Sequence, residues 1–318
     1  MNKLTKIGSD LKQAAQFLKE GKLVAIPTET VYGLAANALD AQAVIKIFEA
    51  KNRPTFDPLI VHTFALSEVE KFVNHIPEKA RILAEKFWPG PLTILLEKKD
   101  IIPDIVTSGL TTVGVRIPNH PLTLELLKKI DFPLAAPSAN PFGYVSPTTA
   151  QHVFDQLGDK IEYILDGGAC KVGVESTIIG FENEIPTVYR LGGLAIEDIE
   201  KHIGKVSIKL NTSSNPISPG MLKSHYAPLK ELIYGKIDSL LELHKDKKIG
   251  VISFYKKYPC YNIVLSENKS LNEAAEHFFA AIRQMDANEN IEIIICETFP
   301  EEGIGRALND RLKRAAVK

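Results

Sequence analysis

Four cations stand out by where they fall in the chain. Lys51 and Arg53 open "KNRPTFDPLIVH", Arg116 closes the core of "TTVGVRIP", and Arg190 sits in "VYRLG". Small neutral side chains accompany them at the ends of apolar runs. Thr30 lies in "PTETVYG", Thr112 before Arg116, Ser138 and Asn140 in "APSAN", and Ser146 in "YVSPTT". "GVESTIIG" adds Glu175, Ser176 and Thr177, and His62 ends "PLIVH". Arginine offers a planar fork of donors and lysine a point charge, so the set suits a polyanion. There is no GxxxxGK[ST] loop, so phosphates would not sit in a P-loop. No Ser-His-Asp set and no metal-ligand spacing emerges. Cys170 in "GGACKVG" is the one tempting nucleophile, and nothing places a histidine beside it.

Taken singly, each residue has a plainer role. Lys51 and Arg53 can be solvated charges complementing the dipole of a helix C-terminus. Ser146 before Pro147 suits a helix N-cap as well as a ligand. Asn140 before Pro141 is a common turn residue. His62 fits a satisfied core histidine, and Thr112 alternates as any strand residue does. Only the combination points to a site.

The elements that must position these residues are legible as periodic runs. Ser9 is the expected cap of a helix with Leu11, Ala14, Ala15 and Leu18 on one face, stopped by Gly21. "KLVAIP" reads as a buried strand. Residues 39–51 read as a helix capped by Asp40, and "PEKARILAEKFW" as one opened by proline. "PLIVH", "PLTILLE", "TVGVRIP", "FPLAAP", "EYILDGG", "STIIGF" and "TVYRLG" are strand-like, with helices near 121–130, 148–157 and 195–203. Strands and helices interleave without a strict βαβ rhythm, which predicts an α/β protein built on a mixed twisted sheet. Residues 211–230 are rich in Ser and Pro and carry no apolar period, so they read as a linker. Beyond them "ELIYG", "KKIGVISF", "NIVL" and "IEIIICE" alternate with helices near 271–287 and 304–316, a smaller Rossmann-like unit. It lacks GxGxxG, and no dinucleotide is assigned to it. The expected division is 1–205, a linker or lid over 206–230, and 231–318.

Composition sets the outer bounds. The 318 residues are 45% hydrophobic and 24% charged, with a formal net charge of -1, so no bulk positive field draws in nucleic acid. Three scattered cysteines, Cys170, Cys260 and Cys296, make no CxxC pair and fit a reducing compartment. The N-terminal stretch is too polar for a signal peptide and no apolar run approaches a membrane span, so a cytoplasmic protein is expected.

At these residues the sequence resembles the YrdC-type threonylcarbamoyl-AMP synthases, in the long form with an added C-terminal domain. "PTETVYGL", "KNRP…PLIVH", "FWPGPLT", "VGVRIP", "APSAN…S", "GVESTI" and "RLGG" occur in the family's order, and "SPGMLKSHYAP" matches the long form's linker. The family's KxR and SxN signatures fall on Lys51, Arg53, Ser138 and Asn140. The resemblance implies a YrdC-like catalytic domain that condenses L-threonine, bicarbonate or carbon dioxide and ATP into threonylcarbamoyl-adenylate, a nucleotidyl transfer releasing pyrophosphate. Mg²⁺ with the ATP is expected on chemical grounds, although no ligand set is visible. The resemblance also implies that the product passes to a threonylcarbamoyl-transfer machinery acting on tRNAs that read codons starting with A. Threonine would meet Thr30, His62, Arg116, Ser176 and the backbone at Ala136. The nucleotide would meet Arg53, Asp57, Thr112, Ser138, Ser146, Arg190 and the linker's Tyr226. Asp57 stands where the family's pattern has asparagine, and an acid there helps only if it faces ribose, base or a metal. The alternative is an RNA- or tRNA-binding module without catalysis, whose cationic loops grip phosphates. Near-neutral charge and cations set singly among polar loops weigh against it.

Overall fold

A computed structural model describes residues 5–210 and 225–317; the linker residues 211–224 lie outside the described residues. The first sheet is built from Lys6–Gly8 (β1), Val24–Ile26 (β2), Gly33–Asn37 (β3), Ile60–His62 (β4), Leu92–Glu97 (β5), Thr112–Arg116 (β6), Leu134–Ala135 (β7), Tyr163–Leu165 (β8), Thr177–Glu182 (β9), Ile185–Arg190 (β10) and Ser207–Ile208 (β11). Their order is β1-β8-β2-β3-β7-β4-β6-β5-β9-β10-β11. Parallel pairs such as β4 with β6 adjoin antiparallel ones such as β5 with β6, so the sheet is mixed as expected. A second sheet pairs Glu231–Gly235 (β12), Ile249–Ser253 (β13), Tyr261–Val264 (β14) and Ile293–Glu297 (β15) in the order β12-β15-β13-β14, all parallel. No helix among the described residues is long and apolar enough to cross a membrane.

Local signals fix most helix ends, with small departures from the pattern. Asp10, not Ser9, caps Leu11–Lys19, accepting from the amides of Lys12 and Gln13; the carboxylate is the stronger acceptor for the orphan N–H groups. Thr149 caps Ala150–Leu157, which frees Ser146 from that role. "FPLAAP" shrinks to the two strand residues of β7. β3 carries no β-branched residue and was not signalled by the pattern; it is a strand because β2 and β7 flank it and bury it. The short helix Ile237–Leu243 was likewise unsignalled.

Most helices of the first part pack on one face of the large sheet, and Leu11–Lys19 and Pro121–Lys128 cover the β1-β8-β2-β3 end of the opposite face. On the other side the buried apolar contacts around β4 shrink to Ile60, Leu95, Ile178 and Tyr189. That thinly covered face leaves room for a ligand. The two sheets share one apolar cluster, which includes Val145 and Val174 from the first part and Phe278, Phe279 and Leu312 from the second. Helix Leu271–Ala287 makes the polar part of the junction. Arg283 Nε donates to the Ser146 carbonyl at 3.2 Å, and its Nη2 donates to the Val145 carbonyl and to Gln156 Oε1. Asp286 accepts from the Tyr144 hydroxyl at 2.5 Å and from the Leu229 and Lys230 amides.

Gly173 sits where the first part presses on this helix. Its φ is +76°, and a Cβ there would collide with the backbone of Ala275 and Glu276. Gly143 has φ +80° but faces open space. Gly143→Ala therefore carries only the left-handed penalty, about 1–2 kcal/mol. Gly173→Ala should exceed it by about 1–3 kcal/mol through overpacking. Urea unfolding of the two variants side by side checks this; equal losses would mean that the junction yields freely.

Candidate active site

The pattern treats Lys51 and Arg53 as loop cations with solvent access. Both are buried, Lys51 at 1% and Arg53 at 7% exposure. Helix Ala41–Lys51 ends with Asn52 in the left-handed conformation, φ 51° and ψ 41°. The Arg53 amide then donates back to the Phe48 carbonyl at 2.9 Å, a Schellman ending that turns the chain inward. Lys51 Nζ donates to the Ser138 carbonyl at 2.6 Å and to the Asn140 carbonyl. It clamps the Ser-Ala-Asn loop rather than facing the cavity. Burial, then Arg53, lowers its pKa well below the usual lysine value. Arg53 donates to the carbonyls of Asp57 and Pro58 and pairs with the Asp57 carboxylate at 2.9 Å. Asp57 thus has a place: it balances Arg53. Burial raises its pKa, and Arg53 and Lys51 oppose the rise.

One cavity gathers most of the proposed ligand residues. Thr30, His62, Arg116, Ala136 and Ser176 line it, with Arg53, Ser138, Arg190 and Tyr226. His62 and Arg116 are register partners at the C-terminal ends of the parallel strands β4 and β6. Arg116 pairs with the buried Glu29 at 2.7 Å and donates through Nε to the Gly90 carbonyl. Ser176 directly precedes β9, and Arg190 ends β10 across from it. Arg190 donates to the Ser176 carbonyl and hydroxyl, both at 3.0 Å, and burial lowers its pKa to about 10. The Thr28 hydroxyl accepts the Thr30 and Val31 amides and donates to the Val31 carbonyl at 2.6 Å. The Thr30 hydroxyl lies 2.8 Å from that of Thr28 and shares a hydrogen bond with it.

Five proposed residues stand apart from that lining. Lys51 and Asp57 act from behind Arg53 and the loop, as above. Asn140 Nδ2 donates to the carbonyls of Pro141 and Tyr144, shaping the loop. Thr112 lies on the same face of β6 as Arg116 but four residues earlier, past Gly114, roughly 13 Å along the strand. It lines a second hollow with Glu97 and Tyr189. Ser146, fully buried, donates to Glu175 Oε1 at 2.5 Å and so reaches the cavity through a carboxylate.

Three groups at the site carried no local signal. Glu29 is one of many acids in the sequence until Arg116 is placed beside it. Arg283 and Arg311 come from the second part of the chain, and Arg311 Nε donates to Glu175 Oε2 at 2.8 Å. Tyr226 and His225 of the linker do enter the lining, packed edge-on with ring centroids 4.1 Å apart. Tyr226 stacks on Phe279, and its φ of 66° is a strained conformation for an aromatic residue. Cys170 is buried, burial raises its pKa, and it has no role as a thiolate. The cations proposed to grip an RNA backbone are all interior, so that alternative loses its surface.

Two family models together match nearly the whole chain. A family model described as telomere recombination (Sua5, YciO and YrdC) matches residues 16–192. A model described as the threonylcarbamoyl-AMP synthase C-terminal domain matches residues 194–317. The threonylcarbamoyl-AMP synthase of Pyrococcus abyssi is 43% identical over 96% of this chain and 94% of its own length. That of Bacillus subtilis is 41% identical over 96% and 92%. A crystal structure of P. abyssi Sua5 complexed with L-threonine superposes with a TM-score of 0.93 at 41% identity, covering 98% of this chain and 97% of that one.

His62 supplies a test of the site's electrostatics. Burial, then Arg116, lowers its pKa from 6.5 to about 3. The unfolded chain binds this proton below pH 6.5 while the folded chain refuses it. Stability is therefore fully present above pH 6.5 and falls as the pH drops toward 3, by about 1.4 kcal/mol per pH unit. The His62→Asn variant should lose stability less steeply than wild type between pH 6 and 4, by about that slope. Parallel denaturation curves across that range would place His62 in contact with solvent instead.

Proposed function

The chain belongs to the Sua5/YrdC family of threonylcarbamoyl-AMP synthases, and on that footing we propose that it condenses L-threonine, bicarbonate or carbon dioxide and ATP into threonylcarbamoyl-AMP, releasing pyrophosphate. The observation that carries the reading is the cavity itself. The hydroxyls of Thr30, Ser138 and Ser176, the imidazole of His62, the guanidiniums of Arg53, Arg116 and Arg190 and the Tyr226 ring line one cavity, and that lining holds no activated nucleophile. The threonine amine attacks carbon dioxide, losing a proton to give a carbamate. A carbamate oxygen then attacks the α-phosphorus, forming one P–O bond as the bond to the β-phosphate oxygen breaks. Neither step needs a protein nucleophile. Rate comes from holding the reactants in line and from preorganised charge at the phosphates.

The residues divide the work by chemistry. Arg116 offers its guanidinium to the threonine carboxylate, with the Thr30 hydroxyl in the same lining. Arg53 and Arg190 face the phosphates. Ser138 is held in place from behind by Lys51. Ser146 donates a hydrogen bond to Glu175 and so serves the nucleotide by orienting that carboxylate. Magnesium is proposed to arrive with ATP. Asp57 and Glu29 are already paired with arginines, and the described residues contain no group of three His, Cys, Asp or Glu placed to hold an ion. The described residues thus offer no fitting ligand set of their own. The reaction is a nucleotidyl transfer, we place it in the cytoplasm, and its unstable mixed anhydride must be consumed by a transferase acting on tRNA. Direct contact with tRNA is not required by this scheme.

Incubation with ATP, bicarbonate and single amino acids, with mass spectrometry of the adenylate, tests the assignment. Serine differs from threonine by a methyl worth about 1–3 kcal/mol and should be a poor but detectable substrate. Valine lacks the hydroxyl and should fare worse than serine; equal use of valine and threonine would exclude the threonine site described. Arg53→Ala should lower adenylate formation by about a few hundredfold. It should also lower stability, because Asp57 is left buried and unpaired. Arg53→Ala/Asp57→Asn should regain the stability without regaining activity. Recovery of both together would make Arg53 a purely structural residue.

A further inference from the structure

Glu175 poses a problem for a cavity meant to hold a triphosphate. It is 6% exposed and lines the wall together with Arg53 and Arg190. A carboxylate there repels the ligand unless another charge cancels it. One of its oxygens accepts from Ser146 at 2.5 Å, and that hydroxyl is neutral. The other accepts from Arg311 Nε at 2.8 Å. Arg311 comes from helix Gly305–Ala315 in the second part of the chain and is fully buried.

Everything around Arg311 fixes its direction. Its Nη2 donates to the Leu191 carbonyl at 2.8 Å, next to Arg190. Its Nη1 donates at 2.6 Å to Asp310, which also pairs with Arg314 at 3.1 Å. Its guanidinium lies 4.9 Å from the ring of Tyr226, itself a cavity residue. Burial raises the Glu175 pKa, but Arg311, Arg190 and Ser146 outweigh it and hold the carboxyl ionised. The negative charge persists at working pH and needs a permanent counter-charge, which a guanidinium supplies.

We infer that Arg311 is a positioning residue for the nucleotide: it cancels the charge of Glu175 on the cavity wall and backs Tyr226, so ATP binding depends on a side chain from the C-terminal domain. The inference rests on the proposed function, since it takes the ligand to be ATP. It assigns the second domain a task at the site that requires no ligand contact from that domain.

The test measures ATP affinity by calorimetry in the full-length protein with magnesium present, together with KM for ATP and for threonine. Arg311→Met strips Glu175 of its hydrogen-bonded guanidinium and should weaken ATP binding by about tenfold or more, since a unit charge within ~10 Å at an effective dielectric near 20 acts on that scale. The threonine KM should move far less. Arg311→Met/Glu175→Gln removes the stranded charge and should bind ATP several-fold tighter than the single variant. A double variant that binds no better than Arg311→Met overturns the inference, because a merely structural arginine would not be rescued by neutralising one carboxylate. If Arg311→Met does not fold, Arg311→Lys decides. It keeps the charge and should stay within about threefold of wild type; a tenfold loss with unchanged melting overturns the charge-cancelling role. Wild-type protein that binds ATP yet makes no adenylate would refute the proposed function and leave the affinity comparison standing.

Discussion

A cavity walled by buried guanidiniums can exist only because each one is already answered by oxygen from the protein. Removing such a cation from water costs several kcal/mol unless its donors are satisfied. Arg53 donates to two carbonyls and forms an ion pair with Asp57, Arg116 forms one with Glu29 and donates to the Gly90 carbonyl, and Arg190 donates to the carbonyl and hydroxyl of Ser176. Lys51 uses the carbonyls of Ser138 and Asn140. The loops bend as they do so that their carbonyls reach these cations. Folding and site construction are therefore one process, and the donors are oriented before any ligand enters. Preorganisation of this kind makes charge stabilisation effective, since little reorganisation remains for the reaction itself.

The same constraint explains why the site recruits acids it would otherwise avoid. Asp57, Glu29 and Glu175 all stand close to a cavity that takes an anion, and each is paired with an arginine within 2.9 Å. Paired, they lower the cost of burying the cations and steer each fork. Unpaired, each would work against the ligand. Asp57 in place of the family's asparagine is thus compatible with the chemistry so long as Arg53 remains beside it.

Much of this was legible in the sequence, and the gaps have physical causes. The ordered strings around Thr30, Arg53, Arg116, Ser138, Ser176 and Arg190 identify the family, and the structure brings these residues to one cavity. The burial of Lys51 and Arg53 was not legible. A helix-terminal cation looks the same whether it meets water or a distant carbonyl, and Ser138 lies far along the chain. β3, written "GLAAN", has no intrinsic preference for extended structure and acquires it from its neighbours. The tie from Arg311 to Glu175 spans 136 residues, and no periodicity encodes it. Thr112 shows a different gap: a motif lists residues without saying how far apart a strand will hold them.

The junction made by Arg283 and Arg311 also bears on the order in which the chain is made. Every cavity residue from Thr30 to Tyr226 leaves the ribosome before either arginine does. Domains generally fold as units, N-terminal first, during synthesis. The first sheet can pair while the loop carbonyls at Val145, Ser146 and Leu191, and the carboxylate of Glu175, still await their donors. A nascent chain at that stage holds a folded scaffold around an unfinished cavity. Completion of the cavity wall then arrives as a late event in biosynthesis, set by docking of the second sheet and its helices. A chain interrupted before them would resemble the enzyme in fold while lacking its electrostatics.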